Sequence, residues 1–61
     1  MAVVEFDQAG RTYQVELEGY DSSNIYPLNL LRDRVTLSTD RLTGERLMVS
    51  WSDLPVWRLI S

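Results

Sequence analysis

The side chains able to do chemistry in this chain are few, and their types narrow its options quickly. Nine carboxylates and six arginines carry its side-chain charge, and histidine, lysine and cysteine are absent. Nucleophilic catalysis needs a serine or threonine beside a base that accepts its proton. Ser22, Ser23, Ser38, Ser50 and Ser52 have no histidine or lysine to serve them, and turn and strand chemistry accounts for all five. Hydrolysis by paired carboxylates needs two acids in one cleft, with their pKa values driven apart. Glu16 and Glu18 share a strand face, but that face is expected to be open to water. Phosphate-cradling loops are rich in glycine, whereas the three glycines here stand apart. A calcium loop needs closely spaced acids around a glycine. Asp40 to Glu45 offers two acids and reads as a hairpin turn. The expectation is a protein that is not an enzyme and uses no cofactor and no metal.

Binding is what remains, and two groups of residues suggest it. Glu5, Asp7, Glu16 and Glu18 fall on adjacent strands and point the same way, with little local compensation. Like charges facing each other across strands cost roughly a few tenths of a kcal/mol each. A basic partner would relieve that repulsion and be steered toward it. The plainer alternative is a solvated face that also discourages sheet-edge aggregation. The second group is apolar surface in excess of what one core can use. In Val56 to Ile60, Trp57 and Leu59 face one way while Val56 and Ile60 face the other, and Met48 lies opposite the Leu47 face. Tryptophan, methionine and arginine are enriched at interfaces, although strand curvature after Pro55 could bury Val56 without any partner. The candidate partner-binding residues are therefore Glu5, Asp7, Glu16, Glu18, Met48, Trp57 and Arg58.

Sixty-one residues make a single small domain, residues 1–61. A domain of this size buries only about 60% of its unfolded surface and retains roughly 3–5 kcal/mol of net stability. Lacking cysteine, it can use no disulfide, so a compact core or association with another surface must serve. All six basic residues are arginine: Arg11, Arg32, Arg34, Arg41, Arg46 and Arg58. A GC-rich coding sequence explains that, as does arginine's value at interfaces. Up to Asn24 there are five acids and one base; from Ile25 on there are five arginines and four acids. A net charge of −3 argues against a non-specific nucleic-acid binder, whose affinity comes from neutralising phosphates. No basic n-region and no apolar run of bilayer-spanning length is present, so a cytoplasmic, non-membrane protein is expected. The start at Met1 and an apolar final strand running to Ser61 suggest a complete gene product.

The elements that must position these residues are organised around Glu45 to Ile60. Leu47, Val49 and Trp51 alternate with Met48 and Ser50, the period of a half-buried strand. Ser52-Asp53 and Leu54-Pro55 interrupt it, because proline lacks an N–H and restricts the residue before it. Val56 to Ile60 resumes as a second short strand. Toward the N-terminus, Val3 to Asp7 and Arg11 to Glu18 predict a hairpin with Phe6 opposite Tyr13 and Val4 opposite Val15. Its turn at Ala9-Gly10 is either a two-residue loop or a Gly10 bulge. Gly19 to Asn24 reads as a loop, and Ile25 to Asp33 as one helical turn or an irregular cover, with Ile25, Leu28 and Leu31 toward the sheet. Arg34 to Thr39 predicts a strand with Val35 and Leu37 inward. Asp40 to Gly44 would be its turn, setting Thr39 against Glu45, Leu37 against Leu47 and Val35 against Val49. Arg34, Thr36, Ser38, Arg46, Met48 and Ser50 would then face outward.

Five short strands in two hairpins, a covering loop and a corner before the last strand predict an all-β fold. The expected form is a small five-stranded, partly open barrel with one short helical turn or 3₁₀ segment. This order resembles the SH3-like and Sm-like small barrels, with Glu45–Trp51 as fourth strand, Ser52–Pro55 as the 3₁₀ turn and Val56–Ile60 as the closing strand. The acidic-aromatic signature of peptide-binding SH3 loops and the glycine-asparagine signatures of RNA-binding Sm proteins are both absent. Acidic Sm-like inhibitors of the transcription termination factor Rho offer a functional parallel. Phage-encoded inhibitors and adaptor subunits are often this small. The expected function is a protein-interaction module that binds a larger protein, with inhibition as one version of that role and a basic or nucleic-acid-binding protein as one version of the partner. One alternative is a nucleic-acid-binding barrel using Arg32, Arg34, Arg46 and Arg58. The other is a self-associating, homo-oligomeric subunit of an assembly.

Overall fold

A computed structural model describes residues 1–20 and 30–61. Its strands are β1 (Ala2–Gln8), β2 (Arg11–Leu17), β3 (Val35–Asp40), β4 (Arg46–Ser50) and β5 (Trp57–Leu59), with 3₁₀ turns at Leu30–Asp33 and Trp51–Asp53. All five join one antiparallel sheet in the order β4-β3-β2-β1-β5. The chain is thus all-β: a meander of four strands, a 3₁₀ corner, and a fifth strand that returns to the first.

Alternating apolar residues set the first hairpin. Val4 lies opposite Val15 and Phe6 opposite Tyr13, as their spacing predicts. The turn is the two-residue form, with Ala9 at φ 53° and Gly10 at φ 76°. Positive φ at both centres is the primed geometry whose twist matches the strands; glycine adopts it freely, while Ala9 takes it under strain. At the other end of the chain, Pro55 follows the corner and β5 pairs with β1 through Phe6–Trp57, Glu5–Arg58 and Val4–Leu59.

The core gathers Ala2, Val4, Phe6, Val15, Leu17, Leu31, Val49, Trp51 and Leu54, with Tyr13, Tyr20, Leu47 and Trp57 packed against it. Trp51 is its centre at 1% exposure. Phe6 and Trp57 both meet the Trp51 ring edge-on, at centroid separations of 5.8 and 5.2 Å, a favoured aromatic arrangement. Leu31 is fully buried beneath its 3₁₀ turn, as its covering role requires. Ile25 and Leu28 lie outside the described residues, as does the Asp21–Asn24 part of the expected loop.

The second hairpin departs from the sequence reading. Leu37 pairs with Met48, not Leu47; Thr36 faces Val49 and Thr39 faces Arg46. That slip of one residue turns all of β3 over. Val35 and Leu37, expected inward, are 58% and 56% exposed, whereas Ser38 and Asp40 are buried. The turn decides this. Asp40 is itself the last paired residue, its N–H donating to the Glu45 carbonyl at 2.8 Å and its carbonyl accepting from the Gly44 N–H at 2.7 Å. Its carboxylate accepts the Leu42 N–H at 2.9 Å and the Arg11 guanidinium at 2.9 Å. The loop is therefore the four residues 41–44, one shorter than expected. Further along, the Trp51 indole N–H donates to the Thr36 hydroxyl at 2.9 Å, and the Thr36 and Ser38 hydroxyls lie 3.0 Å apart. Burying Val35 and Leu37 would contribute roughly 1.5–3 kcal/mol each. The slip required would turn Thr36 and Asp40 outward, taking the acceptor from the buried indole N–H at about 1–3 kcal/mol and dismantling the bonds by which Asp40 closes the turn. Among the described residues no buried side-chain nitrogen or oxygen lacks a partner.

Candidate interaction surface

One sheet face forms the core, and the other presents most of the candidate residues in rows across the strands. On β1 and β2 this outer face carries Glu5, Asp7, Thr12, Gln14 and Glu16; β5 adds Arg58. Sequence alone suggested little local compensation here, and the structure corrects that. The Arg58 guanidinium bonds to Glu5 Oε1, and Gln14 Nε2 donates to Glu5 Oε2 at 2.7 Å. Gln14 Oε1 in turn accepts from Arg41 Nε at 2.8 Å. A chain of contacts, Arg58–Glu5–Gln14–Arg41, thus crosses the face with a cation at each end. The Glu5 side chain is only 15% exposed within it. Asp7 accepts from the Thr12 hydroxyl at 2.6 Å. Glu16 is half-buried between Val3 and Thr39, and Glu18, just beyond β2, is exposed.

The β3–β4 part of the same face is apolar. Met48 is 63% exposed and sits directly opposite Leu37, with Val35 two residues along β3 on the same side. Arg46 and Thr39 lie on one flank and Ser50 on the other. The phase of β4 was legible, so Met48 was placed correctly. Val35 and Leu37 were missed because the register slip hid them. The signal that could have found them was Asp40, a side chain suited to capping its own turn. Trp57 parts from the other candidates: it turns inward, half-buried against Trp51, while Arg58 beside it turns out.

Arg11, on the opposite face, clamps the two turns together. It reaches Asp40 and, at 3.3 Å, Glu45, and its guanidinium carbon lies 4.3 Å from the Tyr13 ring centre. Desolvation opposes its charge, but Tyr13, Glu45 and Asp40 outweigh that and raise its pKa above the ordinary value.

Between β1 and β4 lies a cleft of about 230 Å³, lined by Phe6, Gln8, Leu47, Met48, Val49, Ser50, Asp53 and Leu54. Ligand pockets run from about 300 to 1,000 Å³, and this seam between the strands falls below that range. Among the described residues no group of three or more acidic side chains is placed to hold a metal ion, and no helix is long and apolar enough to cross a membrane. No protein-family model, no curated protein and no solved structure matches the chain.

Proposed function

We propose that the chain is a small protein-interaction module, acting on a larger protein by binding it and not by catalysis. The observation that supports this best is the joint exposure of Val35, Leu37 and Met48 on one face, beside a rim of charged and amide side chains. An apolar centre with a polar rim is the anatomy of a protein interface, and clustered exposed apolar side chains mark contact surfaces. Asp7, Glu16 and Glu18 would steer a basic partner toward the rim. Inhibition by occlusion suits a chain without histidine, lysine or cysteine. A cytosolic site of action belongs to the same proposal, supported by that freedom from cysteine.

Affinity capture from the native host with the tagged chain tests this. Leu37→Glu is expected to lower the captured partner at least tenfold, or about 1.4 kcal/mol, with an unchanged circular-dichroism spectrum. Glu16→Arg with Glu18→Arg should lower it less, and chiefly at low salt. Full retention by Leu37→Glu would overturn the proposal. Salt-sensitive retention of nucleic acid by the unaltered chain would favour the barrel that binds nucleic acid instead.

A further inference from the structure

β3 occupies one edge of β4. Asp40 N–H bonds to the Glu45 carbonyl at one end of that ladder, and Trp51 N–H to the Arg34 carbonyl at the other, at 3.1 Å. Backbone groups of an antiparallel pair alternate in direction along each strand. Leu47 and Val49 therefore share the direction of Glu45 and Trp51, toward β3. Arg46, Met48 and Ser50 turn their N–H and C=O groups the other way. Among the described residues no strand pairs with that second edge.

Natural sheets guard such edges with proline, bulges, brevity or charge. The opposite edge is guarded: β5 has three residues and follows Pro55 within two positions. β4 has five residues, no proline, and one charge, at its end. We propose that β4 pairs antiparallel with β4 of a second copy, about a two-fold axis at Met48. The hydrogen bonds would come from the strand's edge, while the side chains of Leu37 and Met48 are shared with the surface proposed above.

Registry selects the axis. Outward-directed residues can bond only to outward-directed residues, so Arg46, Met48 and Ser50 must meet the same three. Centring on Met48 engages all of them: Met48 meets Met48 of the second copy, and Arg46 meets Ser50 in both directions. Each pair exchanges two hydrogen bonds. A shift by one pair either way leaves part of the set unmatched, and centring on Arg46 would oppose two guanidiniums. In the chosen register each arginine faces a serine hydroxyl. Leu37 already neighbours Met48, so a row Leu37–Met48–Met48–Leu37 forms across the axis and withdraws apolar surface from water. Association is also a common support for a domain this small without disulfides.

Sedimentation equilibrium from micromolar to millimolar chain should show the mass rise from 7.1 kDa toward twice that value. Over the same range, amide hydrogen exchange should slow at Arg46, Met48 and Ser50 as concentration increases, while Leu47 and Val49 stay protected throughout. Met48→Pro removes an N–H that β3 does not use, so its circular dichroism should be retained and its mass should stay monomeric. Met48→Glu should do the same by opposing like charges at the axis. A mass fixed at the monomer value would overturn the proposal. So would dimerisation without new protection at those three amides, or dimerisation undiminished in Met48→Glu.

Discussion

Arg11 and Asp40 stand 29 positions apart in sequence and meet at 2.9 Å, with the carboxylate fully buried and the guanidinium partly exposed. The contact ties the turn of the first hairpin to the turn of the second. Asp40 does more in this contact than Arg11 does, since it also holds the Leu42 N–H and fixes where β3 ends.

Unequal costs follow for the two partners. Asp40→Ala is expected to destabilise by about 2–3 kcal/mol, through loss of a buried charge-assisted bond and of the side chain that closes the turn. Arg11→Ala, acting at a half-exposed site where water can replace the guanidinium, should cost only about 1 kcal/mol. Against a net stability of roughly 3–5 kcal/mol, the first change leaves a chain close to its unfolding midpoint. Urea titration reads both as shifts in midpoint at constant slope. Equal effects of the two substitutions would contradict the account of Asp40 as the turn's anchor.

The inverted phase of β3 makes a second, sharper claim. Val35→Thr and Leu37→Thr should each change stability by no more than about 0.5 kcal/mol, as surface substitutions do. Val49→Ala, on the strand opposite and buried, should cost about 2 kcal/mol or more. Had Val35 and Leu37 faced the core, all three changes would have been costly. Denaturation of the three variants in parallel distinguishes the two registers without a further structure.

What could be read from sequence followed the side chains that obey the ordinary rule. Val4, Phe6, Tyr13 and Val15 alternate cleanly, so the first hairpin and its register were legible, as were the corner before Pro55 and the strand after it. β3 breaks the rule, with Thr36, Ser38 and Asp40 turned inward and its two aliphatics outward. Hydrophobic alternation has a period of two, so it gave the right element with the opposite face. The inward polar strip is tolerable only because Trp51, Arg11 and the turn amides satisfy it, and those partners come from distant parts of the chain. The same inversion hid two of the three apolar residues of the candidate surface. Met48 was legible because β4 does alternate, and Glu5 was legible as outward but not as the centre of a bonded network.

Trp51 and Thr36 provide the remaining test. The indole N–H is at the core's centre and the Thr36 hydroxyl accepts it at 2.9 Å. Thr36→Val keeps the shape and removes the acceptor, stranding a buried donor at a cost of about 1–3 kcal/mol. Trp51→Phe removes the donor and part of the ring, so it carries a packing loss of its own. In the double variant no donor is stranded, and the combined loss should fall short of the sum by about 1 kcal/mol, the coupling expected of one such bond. Additive losses would mean that the bond contributes nothing net and that Thr36 is turned inward by the chain's other constraints alone.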